Sequence, residues 1–207
     1  MIPVKVLAVQ YLSAVTPELS RALGTDAPCL GLITTDADDP TYIALDQATK
    51  DAQVSVCYGR SFYGGAGNST TPYAGEVVGI LAGPTPGAVR SGMESALGEL
   101  ERVGFETLGG VPCLAHTVSR CGSFLAKEAG VAEGSPIAYL IAPPLESMVA
   151  MDAALKAADV KLCKLYTPPT ETNFGGGLLT GTQSACAAAC AAFRDAVAEM
   201  SVNPKKS

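Results

Sequence analysis

Carboxylates are the residues of this chain best placed to do chemistry. Asp36, Asp38 and Asp39 cluster just before a helix start, and Glu146 lies at a matching helix start later in the chain. Glu76 and Glu171 border two long glycine-bearing segments. Acids favour helix N-termini, where unpaired N–H groups and the helix dipole welcome negative charge. Asp39 reads chiefly as such a cap, while the others form an acidic rim suited to drawing in a cation. Paired carboxylates can also divide acid and base work. Here, however, no nucleophile, base and oxyanion-binding group converge.

Other reactive types carry less. The single histidine, His116, falls in a predicted strand, where a triad would need a base and a metal site would need companions. It reads as a satisfied core or interface residue. Cys186 and Cys190 stand at i, i+4 on one helix face, a spacing that allows a shared metal. Their setting, Ala-Cys-Ala-Ala-Ala-Cys-Ala-Ala, is that of a tightly packed helix. The run Tyr63-Gly-Gly-Ala-Gly-Asn-Ser-Thr lacks the lysine of a phosphate loop and does not enter a helix directly.

Composition sets the frame for these residues. The 207-residue chain is 48% hydrophobic and 16% charged, with a net charge of -6, against about 25% charge in an average soluble domain. Its mean hydropathy is +0.26. Disorder is excluded by the hydrophobicity and nucleic-acid binding by the sign of the charge. No apolar run approaches the length that a membrane helix needs. The N-terminal residues show no leader or lipid anchor. Seven cysteines, an odd number without a secretory signal, read as reduced thiols of a cytosolic protein. So little charge predicts that much of the surface is covered by other subunits.

The elements that must position the carboxylates occur twice. Residues 43–57 (IALDQATKDAQVSVC) and 149–163 (VAMDAALKAADVKLC) are identical at seven of 15 positions at an offset of 106, including Asp46/Asp152, Lys50/Lys156 and Cys57/Cys163. The flanks agree as well: residues 4–24 parallel 111–130, and residues 93–100 parallel 193–200. The chain therefore reads as two domains, 1–105 and 106–207. Each copy predicts a βαβαββα order. In the first copy the strands are expected at 4–11, 30–35, 54–58 and 77–82. Helices are expected from Thr16-Pro17 to Gly24, from the Asp39-Pro40 cap to about 53, and from Pro86 to about 103. The last helix of the second copy is expected at about 183–200. The fold class is α+β, each copy a four-stranded, mainly antiparallel sheet with three helices on one face. Residues 59–75 and 167–177 join the third and fourth strands of each copy. These connections are longer than ordinary ones, are rich in glycine, and carry Phe62, Tyr63, Tyr73 and Phe174. They read as mobile elements that cover and uncover something.

The repeat unit at 149–162 resembles the helix and strand of bacterial microcompartment (BMC) shell domains. Asp36-Ala-Asp-Asp-Pro-Thr-Tyr-Ile-Ala, Tyr58-Gly-Arg-Ser-Phe-Tyr, Ala74-Gly-Glu-Val, Ala138-Tyr-Leu-Ile-Ala-Pro-Pro-Leu-Glu and Pro169-Thr-Glu-Thr-Asn-Phe narrow the likeness. They resemble the tandem, circularly permuted shell proteins of ethanolamine-utilisation microcompartments, over essentially the whole chain. The resemblance implies a non-enzymatic structural protein of the shell inside a bacterial cytoplasm. Three chains would close into a homotrimer of six domains that tiles edge to edge with other shell proteins. It also implies a central pore gated by two loops, here Phe62, Tyr63, Gly64, Gly65, Gly67 and Tyr73 in one and Thr167, Glu171, Asn173 and Phe174 in the other. Ethanolamine would bind near small pores at Asp38, Glu76, Phe105, Glu146 and Thr172, with Phe105 acting through its main chain. Carboxylates suit the ammonium end and a hydroxyl or carbonyl suits the alcohol. Cobalamin binding at the pore, without catalysis, is a further expectation. Two rivals stand beside this reading. One is a soluble small-molecule sensor or enzyme that uses the loops as a lid; the other is a cysteine- or metal-based redox carrier.

Overall fold

The computed structural model describes residues 1–62 and 76–205. The chain runs β1 (Val6–Leu12), α1 (Pro17–Ala22), β2 (Cys29–Thr35), α2 (Asp38–Asp51), β3 (Ser55–Ser61), β4 (Val77–Gly83) and α3 (Pro86–Leu100). It continues with β5 (Glu106–Leu108), β6 (Val111–Val118), α4 (Ser123–Ala129), β7 (Ile137–Ala142), α5 (Pro144–Ala157), β8 (Val160–Tyr166), β9 (Gly175–Gly181) and α6 (Gln183–Val202). Two sheets result, ordered β1-β2-β4-β3 and β5-β6-β7-β9-β8. All strand pairs are antiparallel. The α+β class, with two antiparallel sheets in tandem, is thus the observed one.

Two compact units carry these sheets. The first holds Pro3–Val103 together with Gly122–Leu125, and the second holds Met1–Ile2, Gly104–Cys121 and Ala126–Ser207. In the first unit, Ile33, Leu45, Ala48, Leu81 and Met93 form the core between the sheet and helices α2 and α3. Alternation along the strands sends Leu30, Ile80 and Ala82 to the opposite face, where Val15, Leu23 and Ala27 around α1 cover them. The expectation of helices on one face therefore holds for α2 and α3 only. The short α1 segment packs on the other side because β2 and β4 are apolar on both faces. In the second unit, α5 and α6 bury Met151, Ala154, Cys186, Cys190 and Phe193 against β7 and β9.

Two sequence expectations need correction. The second sheet has five strands, not four. The added β5 pairs with β6 through Gly109 and Gly110, both at positive φ (56° and 92°), the backbone that a two-residue hairpin turn requires. Asp39 is also not the cap of α2. The helix starts two residues earlier, with Ala37 at the N-cap position and no side-chain cap bond. Thr16, Thr85 and Thr182 do cap their helices through the side chain.

The repeat survives in fine geometry. The β3–β4 ladder slips between Val56 and Tyr58, and the β8–β9 ladder slips between Leu162 and Lys164. The residue left over at each β-bulge is the repeated cysteine, Cys57 in one copy and Cys163 in the other.

Candidate functional site

The acidic cluster of the first unit forms where β2, α2 and the ends of β3 and β4 meet. Thr35 ends β2, and its hydroxyl lies 2.7 Å from the Thr41 hydroxyl, with both within reach of the Ala37 carbonyl. This buried pair ties the strand end to the first turn of α2 and places Asp38 at the helix start. One Asp38 oxygen accepts from the Asp39 N–H at 2.9 Å. The other accepts from the Ser61 hydroxyl at 2.7 Å. Ser61 in turn lies 2.6 Å from the Tyr42 hydroxyl. Since Ser61 spends its one proton on Asp38, Tyr42 is the donor to Ser61, and a chain of hydroxyls points at the carboxylate.

Glu76 joins this cluster through its backbone. Its N–H donates to Thr35 O at 2.8 Å and its carbonyl accepts from Phe62 N at 3.0 Å. Residues 62 and 76 are therefore held at the base of the 62–76 connection. Burial pushes the Glu76 carboxyl up, and the nearby charges of Asp38 and Asp36 push it further. Burial also pushes Asp38 up, against the bonds from Ser61 and the backbone. Asp36 is exposed and accepts from Lys5 N at 2.7 Å. A half-buried carboxylate beside other acids holds its negative charge at a cost, and a bound cation relieves that cost.

The second unit presents the other expected residues. Glu146 is half-buried in the first turn of α5. The helix has Pro143 at its N-cap position and no side-chain cap bond there. Thr172 is half-buried, whereas Thr167, Glu171 and Asn173 are exposed, all in the eight-residue connection before β9. Thr170 Oγ1 donates to Phe174 O at 2.8 Å, and Asn173 takes φ 60°. The Phe105 and Phe174 rings lie 5.6 Å apart, so the structure brings Phe105 to this loop. Its carbonyl, the group expected to bind, already accepts from Ile2 N at 2.5 Å. The expected gate residues Tyr63, Gly64, Gly65, Gly67 and Tyr73 lie outside the described residues; Phe62 is half-buried at the edge of β3.

Sequence reasoning missed Tyr42 and Ser61. Tyr42 stands four residues after Asp38 on a helix, a spacing that brings side chains together. Ser61 gives no local signal, because its partner is 23 residues away. Cys186 and Cys190 are buried core residues, and Cys190 Sγ receives the Thr117 hydroxyl at 3.4 Å. Among the described residues no group of three or more His, Cys, Asp or Glu is arranged to hold a metal. Nor is any helix there long and apolar enough to cross a membrane.

A BMC domain model matches residues 29–110. The bacterial microcompartment shell protein EutL of Clostridium perfringens is 55% identical over 205 residues, covering 96% of this chain and 94% of the relative. This chain belongs to the EutL family of microcompartment shell proteins. EutL of Escherichia coli is 47% identical with the same coverage. The solved EutL of Leptotrichia buccalis superposes with a TM-score of 0.96 at 51% identity, covering 100% of this chain and 98% of that one. The trimeric shell protein PduB, at 20% identity and a TM-score of 0.79, shares the fold. EutL relatives are named as shell proteins, which places the family in the microcompartment shell and names no catalytic activity for it.

Proposed function

We propose that three copies of this chain close into a ring of six domains that serves as a tile of the shell, and that it binds ethanolamine at its carboxylates. The observation that carries the tile reading is the doubled domain itself, repeated down to the β-bulge. Two near-equivalent domains per chain let a head-to-tail junction recur around a closed ring. Exposed apolar side chains support it: Leu145 (61%), Val149 (46%), Leu162 (47%) and Leu165 (43%) all lie on α5 and β8. Together with the low charge fraction, they describe a surface made to be covered by further protein.

Ethanolamine is the ligand that the EutL assignment and the acidic cluster favour together. Its ammonium would face Asp38 and Glu76, where it lowers the cost of two mutually repelling carboxylates. Glu146, Phe105 and Thr172 are the remaining candidates, and the loops at 62–73 and 167–175 would frame the central opening. The cobalamin expectation falls on these loops, of which residues 63–75 lie outside the described residues; equilibrium dialysis against cobalamin tests it. Size exclusion with light scattering tests the tile: a trimer is expected, and a monomer at all concentrations refutes it. Calorimetry tests the ligand: heat of ethanolamine binding is expected for the wild type and should be lost in Asp38→Ala. Unchanged binding in that variant removes the site.

A further inference from the structure

The repeat supplies one junction twice, and within this chain only the first copy is filled. In the first unit, Asp46 is fully buried on α2. It accepts from Gly122 N at 2.7 Å and Leu125 N at 2.8 Å. Ser123 N donates to Thr49 Oγ1 at 3.1 Å. The Phe124 ring lies 5.9 Å from that of Tyr42 and against the backbone of Gly59. Residues 122–125 thus sit on the face of α2 and β3 as a plug, with Leu125 at 1% exposure.

Each side of that junction has a counterpart 106 residues away. For the receiving face, Asp46, Thr49 and Gly59 become Asp152, Leu155 and Leu165. Asp152 is 64% exposed in its side chain, where it pairs with Lys156 at 2.5 Å. Leu155 is 36% exposed and Leu165 43%. For the plug, residues 122–125 become 16–19, a correspondence that rests on bonds as well as letters. Cys121 N donates to Ser135 O as Val15 N donates to Pro28 O. Val131 N donates to Ala126 O as Thr25 N donates to Ser20 O. Each short helix ends at a left-handed glycine, Gly24 or Gly130. Leu19, the counterpart of buried Leu125, is 44% exposed.

One copy of the chain therefore shows an uncovered plug and an uncovered receiving face. We propose that the face carrying Asp152, Leu155 and Leu165 receives residues 16–19 of a second copy of this chain. Asp152 then accepts the Thr16 N–H and takes over the Leu19 N–H, which in the single chain goes to the Thr16 hydroxyl at 3.4 Å, and Leu19 leaves water as Leu125 has. The new junction is not a replica. A Cβ on Gly122 would stand 2.2 Å from Thr49 Oγ1 and 2.6 Å from Asp46 O, so Thr16 requires a wider fit there. Glu18 replaces Phe124, so the aromatic contact is not repeated. In exchange Thr49 and Gly59 give way to two leucines, which makes the receiving face more apolar. The junction is head to tail. The inference rests on the shell-tile reading, which supplies ring closure, and assigns the residues of its chain-to-chain contact.

Two variants test it, Leu19→Asp (plug) and Leu165→Asp (receiving face), with Leu155→Asp as a second change on the receiving face. Far-UV circular dichroism and cooperative urea unfolding report whether each is folded, and sedimentation reports its mass. Truncating a central anchor of an interface commonly weakens association about thirtyfold or more, so each folded variant is expected to sediment as a monomer of 21.0 kDa where the wild type is a trimer. Mixing the two variants is decisive. The intact plug of Leu165→Asp fits the intact face of Leu19→Asp, and a complex of two chains forms that can grow no further. Folded variants that trimerise like the wild type overturn the proposal and leave the tile reading standing. Monomeric variants that do not pair on mixing also overturn it. A wild-type chain that stays monomeric overturns both readings.

Discussion

Replacing Asp46 with alanine tests whether the first unit depends on its borrowed segment. The carboxylate is fully buried and accepts two backbone N–H groups, with Lys50 Nζ at 3.7 Å. A hydrogen bond to a charged group contributes about 1.5–3 kcal/mol, so the two are worth roughly 3–6 kcal/mol before costs. Burial pushes the Asp46 carboxyl up, against the bonds from Gly122 and Leu125 and the charge of Lys50. Removing the carboxylate therefore returns part of that sum. It also leaves two buried donors without this acceptor, at about 1–3 kcal/mol each. The expected net loss for Asp46→Ala is about 3 kcal/mol. Urea unfolding at one fixed protein concentration measures it, since association adds stability that depends on concentration. The matched variant Asp152→Ala removes only an exposed i, i+4 pair within its own chain, about 0.3–0.5 kcal/mol. Under the proposed chain-to-chain junction, any larger loss in Asp152→Ala grows with protein concentration. A loss below about 1 kcal/mol for Asp46→Ala would refute the bookkeeping of buried bonds.

The acidic cluster makes a pH prediction with a definite sign. Asp38 and Glu76 are both raised, so their ionised forms weaken the unliganded fold at neutral pH, and this penalty is relieved as pH falls through the raised values. An ammonium ligand favours the ionised forms, so ethanolamine affinity should fall over the same range with proton release on binding. Calorimetry in buffers of different ionisation heat reads this, and affinity that rises on acidification contradicts it. Gly176 has φ 140°, and a Cβ there would stand 1.9 Å from Leu140 O. Gly176→Ala should cost at least about 3 kcal/mol, seen as a lowered urea midpoint or loss of soluble protein; a wild-type midpoint rejects the argument. Burial pushes the Cys113 thiol up to about 12 and Cys190 up to about 11. A thiol reagent at mildly alkaline pH should label half-buried Cys163 well before these two, and urea should abolish the difference. Equal rates in the folded protein contradict it.

Much of the fold was legible because the repeat constrains local and tertiary structure together. Thr16 before Pro17 marked α1 and Pro86 marked α3 correctly, since a proline in the first turn gives up an N–H that the helix does not use. Asp39 misled because an acid before proline has the same letters as a cap; here the Thr35–Thr41 hydroxyl pair carries the chain into the helix two residues sooner. The Gly109-Gly110 turn was written in the sequence, but three residues are too few to show strand alternation. The deepest failure concerns Asp46 and Asp152. They are identical in type and setting along the chain, yet one is buried and one exposed. The difference comes from Gly122 and Leu125, 76 and 79 residues from Asp46 in sequence, a distance over which no local pattern speaks. At the candidate site the same holds for Ser61, whereas Asp38 and Glu76 stood out at a helix start and a loop border, and family likeness named them as ligand residues.

The segment 122–125 also bears on how the protein is made. A nascent chain that has emerged only to the end of the first repeat holds Asp46 with no N–H groups to meet it. Its first domain is completed only after the following hairpin, strand and turn have left the ribosome. Dividing the coding sequence at the repeat boundary would separate Asp46 from Gly122 and Leu125, the two residues whose N–H groups it accepts. The fusion of two domains in one polypeptide thus supplies the partners of Asp46 from within the same chain.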